Sequence, residues 1–363
     1  MDASRGLVVI VPLVACASSA ALTAWSIRYA HRRALIDHPG QRRSHRVPTP
    51  RGGGIGIVAT VLAGLLVAAA TGTAASTPVL AVAAAIALVG AVGWIDDHGG
   101  LAARWRFAAH LLAALSLFAP AVLPQPSDFF GAIDVRDTWP LLAVAATFAC
   151  LLVVWSINLH NFMDGIDGLL AMQAIFVFVV AAAAFLAAGR GAAGIGALAC
   201  MGATAGFLPF NFPRARIFMG DVGSGVLGLL VGIAVLGLLA TPRIAPATGA
   251  IACSAFVADA TCTLLSRMLR GRRWYSAHRE HLYQWLVRSG FSHARVVALY
   301  TGWNVLIALP VILWINRPPD SAAGIPSRDG IGAAAVLYVA AVLAWWLGKR
   351  WCLHAAMRRK HAS

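Results

Sequence analysis

Apolar runs long enough to cross a bilayer recur along almost the whole chain, and they constrain its fold more than any other feature. A hydrocarbon core about 30 Å thick needs roughly 20 apolar residues for each helical crossing. Of the 363 residues, 60% are hydrophobic and 12% are charged, whereas soluble domains carry about 25% charged residues. The sequence therefore predicts an all-α integral membrane protein, a single bundle of about eleven transmembrane helices. These helices are expected near residues 7–27, 56–72, 78–95, 107–123, 139–157, 169–188, 192–210, 222–240, 245–265, 296–315 and 331–347.

Lys and Arg are distributed unequally between the two sets of loops that eleven crossings create. One set, with the C-terminal tail, carries 23 of the 29 basic residues, and the other carries six. Because basic residues stay on the cytosolic side of membrane proteins, we expect the N-terminus outside and the C-terminus in the cytosol. The net charge of +15 then reflects membrane orientation, and nucleic acid is not an expected partner. The basic set comprises residues 28–55, 96–106, 158–168, 211–221, 266–295 and the tail from 348.

The first basic loop, residues 37–57, reads DHPGQRRSHRVPTPRGGGIGI. Its three successive glycines, Gly52–Gly54, allow the backbone to approach a ligand closely. Its arginines suit phosphates or anionic headgroups: Arg42, Arg43, Arg46 and Arg51. Membrane anchoring beside a flexible turn explains the same residues equally well.

Two aspartates and a polar stripe follow two of the predicted helices. Asp96 and Asp97 end the third helix in GWIDDHGG; adjacent carboxylates favour Mg²⁺ or a general base of adjustable pKa, although a solvated capping pair is the alternative. The segment NLHNFMDGIDGL spaces four polar side chains three residues apart, which predicts one helical face; helix capping by the aspartates competes with this interpretation. The four are Asn158, Asn161, Asp164 and Asp167.

The segment FMGDVGSG precedes the eighth predicted helix, whose N-terminal amides and positive dipole end face the cytosolic side. Asp221 is a candidate Mg²⁺ ligand, with Gly220 and Ser224 hydrogen-bonding a phosphate that the metal bridges. A simple N-cap role for Asp221 is the alternative.

The longest basic loop contains RGRRWYSAHREHLYQWL. His278, Arg279 and His281 offer donors for phosphate oxygens, and Trp274 or Tyr283 offers a ring to stack on a base. An amphipathic segment lying on anionic lipid is the alternative. Asp259 lies within the ninth predicted helix, where an ionisable group is costly, and we expect a structural hydrogen-bonding role for it.

In this order, GWIDD, NxxNxxDGIDGL, FMGDVGS and the basic HxxH loop resemble the polyprenyl-phosphate N-acetylhexosamine-1-phosphate transferases over residues 37–285. The resemblance implies Mg²⁺-dependent transfer of a sugar-1-phosphate from a UDP-N-acetylhexosamine to undecaprenyl phosphate, with release of UMP at the cytosolic face of a bacterial inner membrane. Mn²⁺ is an alternative ion. Membrane lipids are further partners, and a homodimer is compatible with the family.

The resemblance also implies residue roles. It assigns Asp221 to the metal, and Asp96 and Asp97 to metal binding or to deprotonating the lipid phosphate. It assigns the remaining motif residues to catalysis or to substrate binding: Asn158, Asn161, Asp164, Asp167, Gly220, Ser224, His278, Arg279, His281 and Arg51.

The motifs also depart from parts of the family. No histidine triplet follows His281, which disfavours the phospho-N-acetylmuramoyl-pentapeptide translocase of peptidoglycan synthesis. The form AHREHLYQ is closer to the enzymes that begin O-antigens, some of which use N-acetylfucosamine or N-acetylquinovosamine instead of N-acetylglucosamine. From a different class, a transporter would place its polar residues at mid-bilayer in broken helices, whereas these acids cluster at one predicted surface.

Overall fold

The computed structural model describes residues 3–38, 47–118, 135–272, 278–317 and 330–362. Four residues that the sequence suggested for ligand contacts lie outside these ranges: Arg42, Arg43, Arg46 and Trp274.

Helices dominate the described chain. The first seven are α1 (Ala3–Arg32), α2 (Ile55–Ala70), α3 (Ser76–Gly99), α4 (Ala103–Ser116), α5 (Val135–Met163), α6 (Leu169–Ala187) and α7 (Gly191–Asn211). The next are α8 (Asp221–Leu239), α9 (Thr248–Ala252), α10 (Ser254–Leu269), α11 (Leu282–Arg288), α12 (His293–Trp303), α13 (Leu309–Ile315) and α14 (Gly330–Ala362). A π-helical turn, Asn304–Ala308, joins α12 to α13. Two-residue strands β1 (Ile36–Asp37) and β2 (Thr49–Pro50) pair antiparallel, with Ile36 opposite Pro50, a small addition to the predicted all-α fold.

Eight stretches of the described chain are long and apolar enough to cross a membrane, so the chain is a multi-pass membrane protein. They lie within α1, α3, α5, α6, α7, α8, the continuous α12–α13 segment and α14. The shorter apolar helix α2 has 16 residues. Each of the eleven predicted segments contains a helix, but eleven full crossings and the orientation of the termini stay predictions.

Helix α8 lies at the centre of the bundle. Most of its residues are buried by protein, in contrast to α1 and α14, whose apolar side chains mostly face outward. Gly228 permits close packing between α8 and α5, since a Cβ atom there would lie 2.7 Å from the Cα of Ile157. Ser156 of α5 donates a 2.7 Å hydrogen bond to the Gly228 carbonyl at the same contact. The motif-bearing start of α8 is therefore held firmly between α3 and α5.

Three predicted helix boundaries were wrong. Helix α5 continues to Met163 instead of ending at residue 157, and α14 continues far beyond residue 347. The predicted helix 245–265 is broken at Cys253 into α9 and α10. Side chains inside the bundle satisfy the broken backbone, because Gln173 donates to the Ala252 carbonyl at 2.9 Å. Such compensation allows a helix to break within a membrane protein.

Candidate active site

Five of the loops that the charge count assigned to one side of the membrane meet at one end of the bundle. Ion pairs and hydrogen bonds join the segment before α2, the end of α3, the start of α4, the end of α5 and the start of α8. Helix α11 joins them because Tyr283 donates to the Phe162 carbonyl at 3.0 Å. These loops therefore meet at one end of the bundle, as their shared charge predicts, whereas the side of the membrane that they occupy stays a prediction.

Asp97 holds the N-terminus of α8. Its carboxylate accepts hydrogen bonds from the backbone amides of Asp221 at 2.9 Å and Val222 at 3.2 Å. Arg51 forms a 2.6 Å ion pair with the same carboxylate. Gly220 has φ of 78°, and a Cβ there would collide with the Asp97 carboxylate. Gly220 thus supplies both a left-handed turn and the space that Asp97 occupies.

The first four amides of α8 are already bonded within the protein. Asp97 takes the first two, and the amides of Gly223 and Ser224 donate to the Gly220 carbonyl at 3.1 and 3.0 Å. A helix begins with four amides that lack partners inside the helix. Here the protein satisfies them, so a ligand must use side chains or the dipole rather than these N–H groups.

Four acids, which we call the carboxylate cluster, lie close together: Asp96, Asp97, Asp164 and Asp221. Asp96 and Asp221 form its accessible part. The Arg106 guanidinium joins the two carboxylates. Arg106, at the start of α4, lies 2.8 Å from Asp96 and 3.4 Å from Asp221. The exposed side-chain fractions are 24% for Asp221, 10% for Asp96 and 1% for Asp97. A ligand can therefore reach Asp221 and Asp96 directly, but not Asp97.

The two asparagines of the polar stripe have different surroundings. Asn161 donates to the Asp221 carboxylate at 3.1 Å and to the Ser224 hydroxyl at 3.0 Å. Asn158 donates to the Val154 carbonyl of its own helix at 2.7 Å and lies 3.5 Å from His110. Asn161 and Ser224 thus belong to the carboxylate cluster, whereas Asn158 faces α4.

Asp164 and Asp167 do not share one helical face with these asparagines, contrary to the prediction. Helix α5 ends at Met163, and the two acids lie in the turn before α6. Asp167 accepts from the Ala215 amide at 3.1 Å and lies 3.2 Å from His293. Burial, together with the negative charges of Asp221 and Asp97, raises the pKa of Asp164 to about 8. Asp164 is therefore largely protonated at neutral pH unless a cation joins the cluster.

The basic loop lies beside this cluster, and the buried carboxylate of Asp259 anchors it. His281 is buried, 3.7 Å from the Asp259 carboxylate, and its ring lies 4.9 Å from that of His278. Burial, together with electrostatic interactions with neighbouring groups that include Arg267, lowers the pKa of His278 to about 4, so His278 is neutral at physiological pH. Arg279 is partly exposed beside the two histidines.

Asp259 has the hydrogen-bonding role that the sequence predicted. It accepts from the amides of Leu282 and Tyr283 at 2.7 and 3.3 Å. It also accepts from the Tyr300 hydroxyl at 2.6 Å and the Trp345 indole at 3.2 Å. One buried carboxylate therefore ties α11, α12 and α14 to α10.

A cavity of about 420 Å³ opens on the other side of the Arg51–Asp97 ion pair. His38 and His98 line it together with the β1 backbone around Ile36. Arg51 and Asp97, both candidate site residues in the sequence, also line it, whereas sequence spacing does not predict the walls formed by β1 and the end of α1.

The carboxylate cluster fits a Mg²⁺ ion. Asp96 and Asp221 offer carboxylate oxygens, the ligands that Mg²⁺ prefers, and both contact the Arg106 guanidinium, so one cation already lies against the two carboxylates. No group of three His, Cys, Asp or Glu side chains in the described part of the chain is arranged as a complete metal site. Mg²⁺ does not need one, because it commonly uses one or two carboxylates, waters and substrate phosphates.

Comparison with known proteins agrees with these motifs. A family model, glycosyl transferase family 4, matches residues 79–239. The chain is 33% identical over 332 residues to decaprenyl-phosphate N-acetylglucosaminephosphotransferase of Mycolicibacterium smegmatis, covering 83% of this chain and 80% of the relative. The chain belongs to glycosyl transferase family 4, the polyprenyl-phosphate hexosamine-1-phosphate transferases.

Other family 4 relatives are more distant. The probable undecaprenyl-phosphate N-acetylglucosaminyl 1-phosphate transferase of Bacillus subtilis is 28% identical, covering 73% of each chain. Phospho-N-acetylmuramoyl-pentapeptide-transferase of Staphylococcus aureus is 26% identical, covering 76% of this chain and 88% of the relative. The family 4 match spans α3 to α8, which carry the whole carboxylate cluster.

Sequence reasoning missed two residues of this family 4 site. Arg106 was counted only as a loop charge, although it contacts both Asp96 and Asp221. Tyr283 was considered only as a stacking ring, although its hydroxyl bonds to the end of α5. The position of Arg106 ten residues after Asp96, at the start of the next helix, is the signal that was available for it.

Proposed function

We propose that this chain transfers a sugar-1-phosphate from a UDP-N-acetylhexosamine to undecaprenyl phosphate and releases UMP. The general reaction is supported by relatives named as polyprenyl-phosphate N-acetylglucosamine phosphotransferases. The observation that carries the proposal is the meeting of Asp96, Asp164 and Asp221 with Arg106 at one end of a membrane bundle. Acids and a cation at a membrane surface suit the alignment of two phosphate-bearing substrates, one of which is a lipid.

In the proposed reaction, an oxygen of the lipid phosphate attacks the sugar-linked phosphorus of the donor. The new P–O bond forms as the bond to the UMP oxygen breaks, so the lipid leaves as a diphospho-sugar. Mg²⁺, held by Asp221 and Asp96, would neutralise the donor diphosphate. Catalysis then depends mainly on positioning and charge stabilisation.

The roles that we propose for the site residues follow from their exposure and their hydrogen-bond partners. Arg106 contributes positive charge where the diphosphate would lie, and Asn161 orients the Asp221 carboxylate. Asp97 has its oxygens occupied by Arg51 and by two amides, so it positions α8. Both oxygens of Asp96 also accept hydrogen bonds, from the Leu101 amide and from Arg106. Asp96 is the more exposed member of the pair, with 10% of its side chain exposed against 1% for Asp97, so we propose Asp96 as the proton acceptor. A phosphomonoester is largely ionised near neutral pH, with a second pKa of about 6, so a base contributes little beyond positioning.

N-acetylglucosamine is the donor sugar to test first, because the relatives from Mycolicibacterium smegmatis and Bacillus subtilis are N-acetylglucosamine phosphotransferases by name. An O-antigen role and the 6-deoxy donors N-acetylfucosamine and N-acetylquinovosamine remain predictions from the basic loop alone. The relatives named as pentapeptide transferases are 26% identical, against 33% for the N-acetylglucosamine enzymes. We therefore rank the peptidoglycan reaction second.

We further propose that the site faces the cytosol of a bacterial inner membrane, where nucleotide sugars are made. The 23 basic residues in the site-side loops and tail support this orientation. A fluorescent protein fused after Ser363 should fold and fluoresce, whereas a periplasmic alkaline phosphatase fused there should be inactive. The reverse pattern would place the site outside and remove access to UDP-sugars.

The deciding experiment measures UMP release by purified protein with Mg²⁺, undecaprenyl phosphate and a panel of UDP-sugars. N-acetylglucosamine is expected to turn over, and the Asp221→Ala variant is expected to be inactive while keeping the wild-type thermal unfolding profile. The control is Arg104→Ala, which removes a charge that stacks on Trp105 outside the cluster. No turnover with any UDP-sugar, from protein that unfolds cooperatively, would reject the proposed function.

A further inference from the structure

The contact between Tyr283 and Gly165 links the basic loop to the turn that carries Asp164. Tyr283 is almost completely buried, and its hydroxyl donates to the Phe162 carbonyl at 3.0 Å. Gln284 donates to the same hydroxyl at 3.1 Å. The phenol therefore touches α5 within one turn of its end, beside the site but without contact to the acids in the cluster.

Gly165 leaves space for this phenol. A Cβ at residue 165 would collide with the Tyr283 hydroxyl oxygen and would lie 2.9 Å from Cζ and 3.0 Å from Cε2 of the ring. The position lies next to Asp164, in the short connection from Met163 to Leu169. Because φ at Gly165 is not in the left-handed region, its lack of a side chain matters here through space and not through backbone conformation.

The buried carboxylate of Asp259 fixes the position of Tyr283 through hydrogen bonds to the backbone. The Tyr283 amide donates to Asp259 at 3.3 Å and the Leu282 amide donates at 2.7 Å. Asp259 also receives the Tyr300 hydroxyl of α12. The start of α11 thus cannot slide relative to α10 without breaking several hydrogen bonds inside the membrane protein.

We propose that Tyr283, anchored by Asp259, is a positioning residue that sets the place of Asp164 by filling the space over Gly165. The inference rests on the proposed transferase function for its assay. It explains why a tyrosine of the basic loop is buried against α5 instead of facing a nucleotide base. Through this contact, the loop containing His278 and His281 and the turn containing Asp164 move as one unit.

The test is a double-mutant cycle of Gly165→Ala and Tyr283→Phe, with kcat and KM for the UDP-sugar measured for each variant. Gly165→Ala should lower kcat at least tenfold with less than a threefold change in KM, because the turn shifts while the donor contacts remain. Tyr283→Phe removes the colliding oxygen. The double variant should therefore have at least threefold higher kcat than Gly165→Ala alone.

Matched controls separate this coupling from general damage. Gly302→Ala adds a methyl group where nothing lies within 4 Å, and Tyr338→Phe removes another hydroxyl that donates to a backbone carbonyl, that of Ala250 at 2.8 Å. Both should keep wild-type kcat. Each variant is also checked for cooperative thermal unfolding in detergent.

Two results would overturn the inference. One is a loss of kcat in the double variant equal to the product of the two single-variant losses, and the other is wild-type kcat for Gly165→Ala. If Gly165→Ala does not fold, the kcat and KM of Tyr283→Phe alone test the positioning role. A lower kcat at unchanged KM supports the positioning role, and an unchanged kcat overturns it. An inactive wild-type enzyme would instead reject the proposed function, so the two failures are distinguishable.

Discussion

Asp97, in the last turn of α3, accepts a 2.9 Å hydrogen bond from the backbone amide of Asp221, the first residue of α8. One aspartate of the pair thus holds the helix that presents another acid of the cluster. Removing the carboxylate leaves the buried amides of Asp221 and Val222 without an acceptor, and leaving a buried group unsatisfied costs about 1–3 kcal/mol.

We therefore expect Asp97→Ala to lower the free energy of unfolding by roughly 1–3 kcal/mol as well as to reduce activity. Thermal or denaturant unfolding in detergent, followed by tryptophan fluorescence, measures the change. Asn at this position keeps one acceptor oxygen and should recover part of the stability. Wild-type stability in an inactive Asp97→Ala protein would assign Asp97 to the chemistry instead.

Arg106→Ala should reduce turnover about tenfold, equivalent to roughly 1.4 kcal/mol of transition-state stabilisation. The reason is that Arg106 is the cation bonded to both Asp96 and Asp221. Arg104→Ala is the matched control, since Arg104 lies two residues earlier on α4 and stacks on Trp105 at 5.5 Å. Equal losses in the two variants would indicate a general effect of loop charge.

Asn161→Ala should lower kcat about tenfold or more, because Asn161 orients both Asp221 and Ser224. Asn158→Ala should lower it less than threefold, since Asn158 bonds to its own helix and faces His110. Steady-state UMP release by the two variants, at equal amounts of folded protein, makes the comparison. A larger loss for Asn158 would contradict the geometry of the cluster.

Mg²⁺ affinity should rise with pH up to about 8. The pKa of Asp164 is raised to about 8 by burial and neighbouring carboxylates, so at pH 7 Asp164 is largely neutral and adds less negative charge beside the proposed Asp96–Asp221 Mg²⁺ site than it does at pH 9. Without metal, the folded state keeps this proton from about pH 4, the ordinary aspartate pKa, up to about pH 8, whereas the unfolded state has lost it. The free energy of unfolding therefore falls as pH rises through that range. Thermal unfolding with and without Mg²⁺ from pH 6 to 9 measures both effects.

The Asp164→Asn variant is the control for this pH dependence. It keeps the shape of the protonated acid and has no proton to release, so its Mg²⁺ affinity should vary less with pH than that of the wild type. An unchanged pH profile in Asp164→Asn would mean that another group in the cluster holds the proton.

The sequence by itself determined the helical membrane fold, the positions of most helices and the set of loops that share one side. These are local properties, because bilayer thickness sets the length of an apolar run and loop charge sets its side. The ordered motifs likewise located the acids of the site before any contact was known. The ends of the helices were less predictable. Helix α5 continues through Asn158 and Asn161 to Met163, because its packing on α8 and not its apolar composition determines where it ends.

Tertiary structure alone decided what each acid does. Asp97 lies next to Asp96 in sequence, yet one carboxylate is closed off by an amide 124 residues away and the other remains accessible. The break at Cys253 and the burial of Tyr283 against Gly165 depend equally on partners from distant helices. Such contacts arise only when helices pack, since hydrogen bonds and close approaches join side chains that no sequence spacing relates.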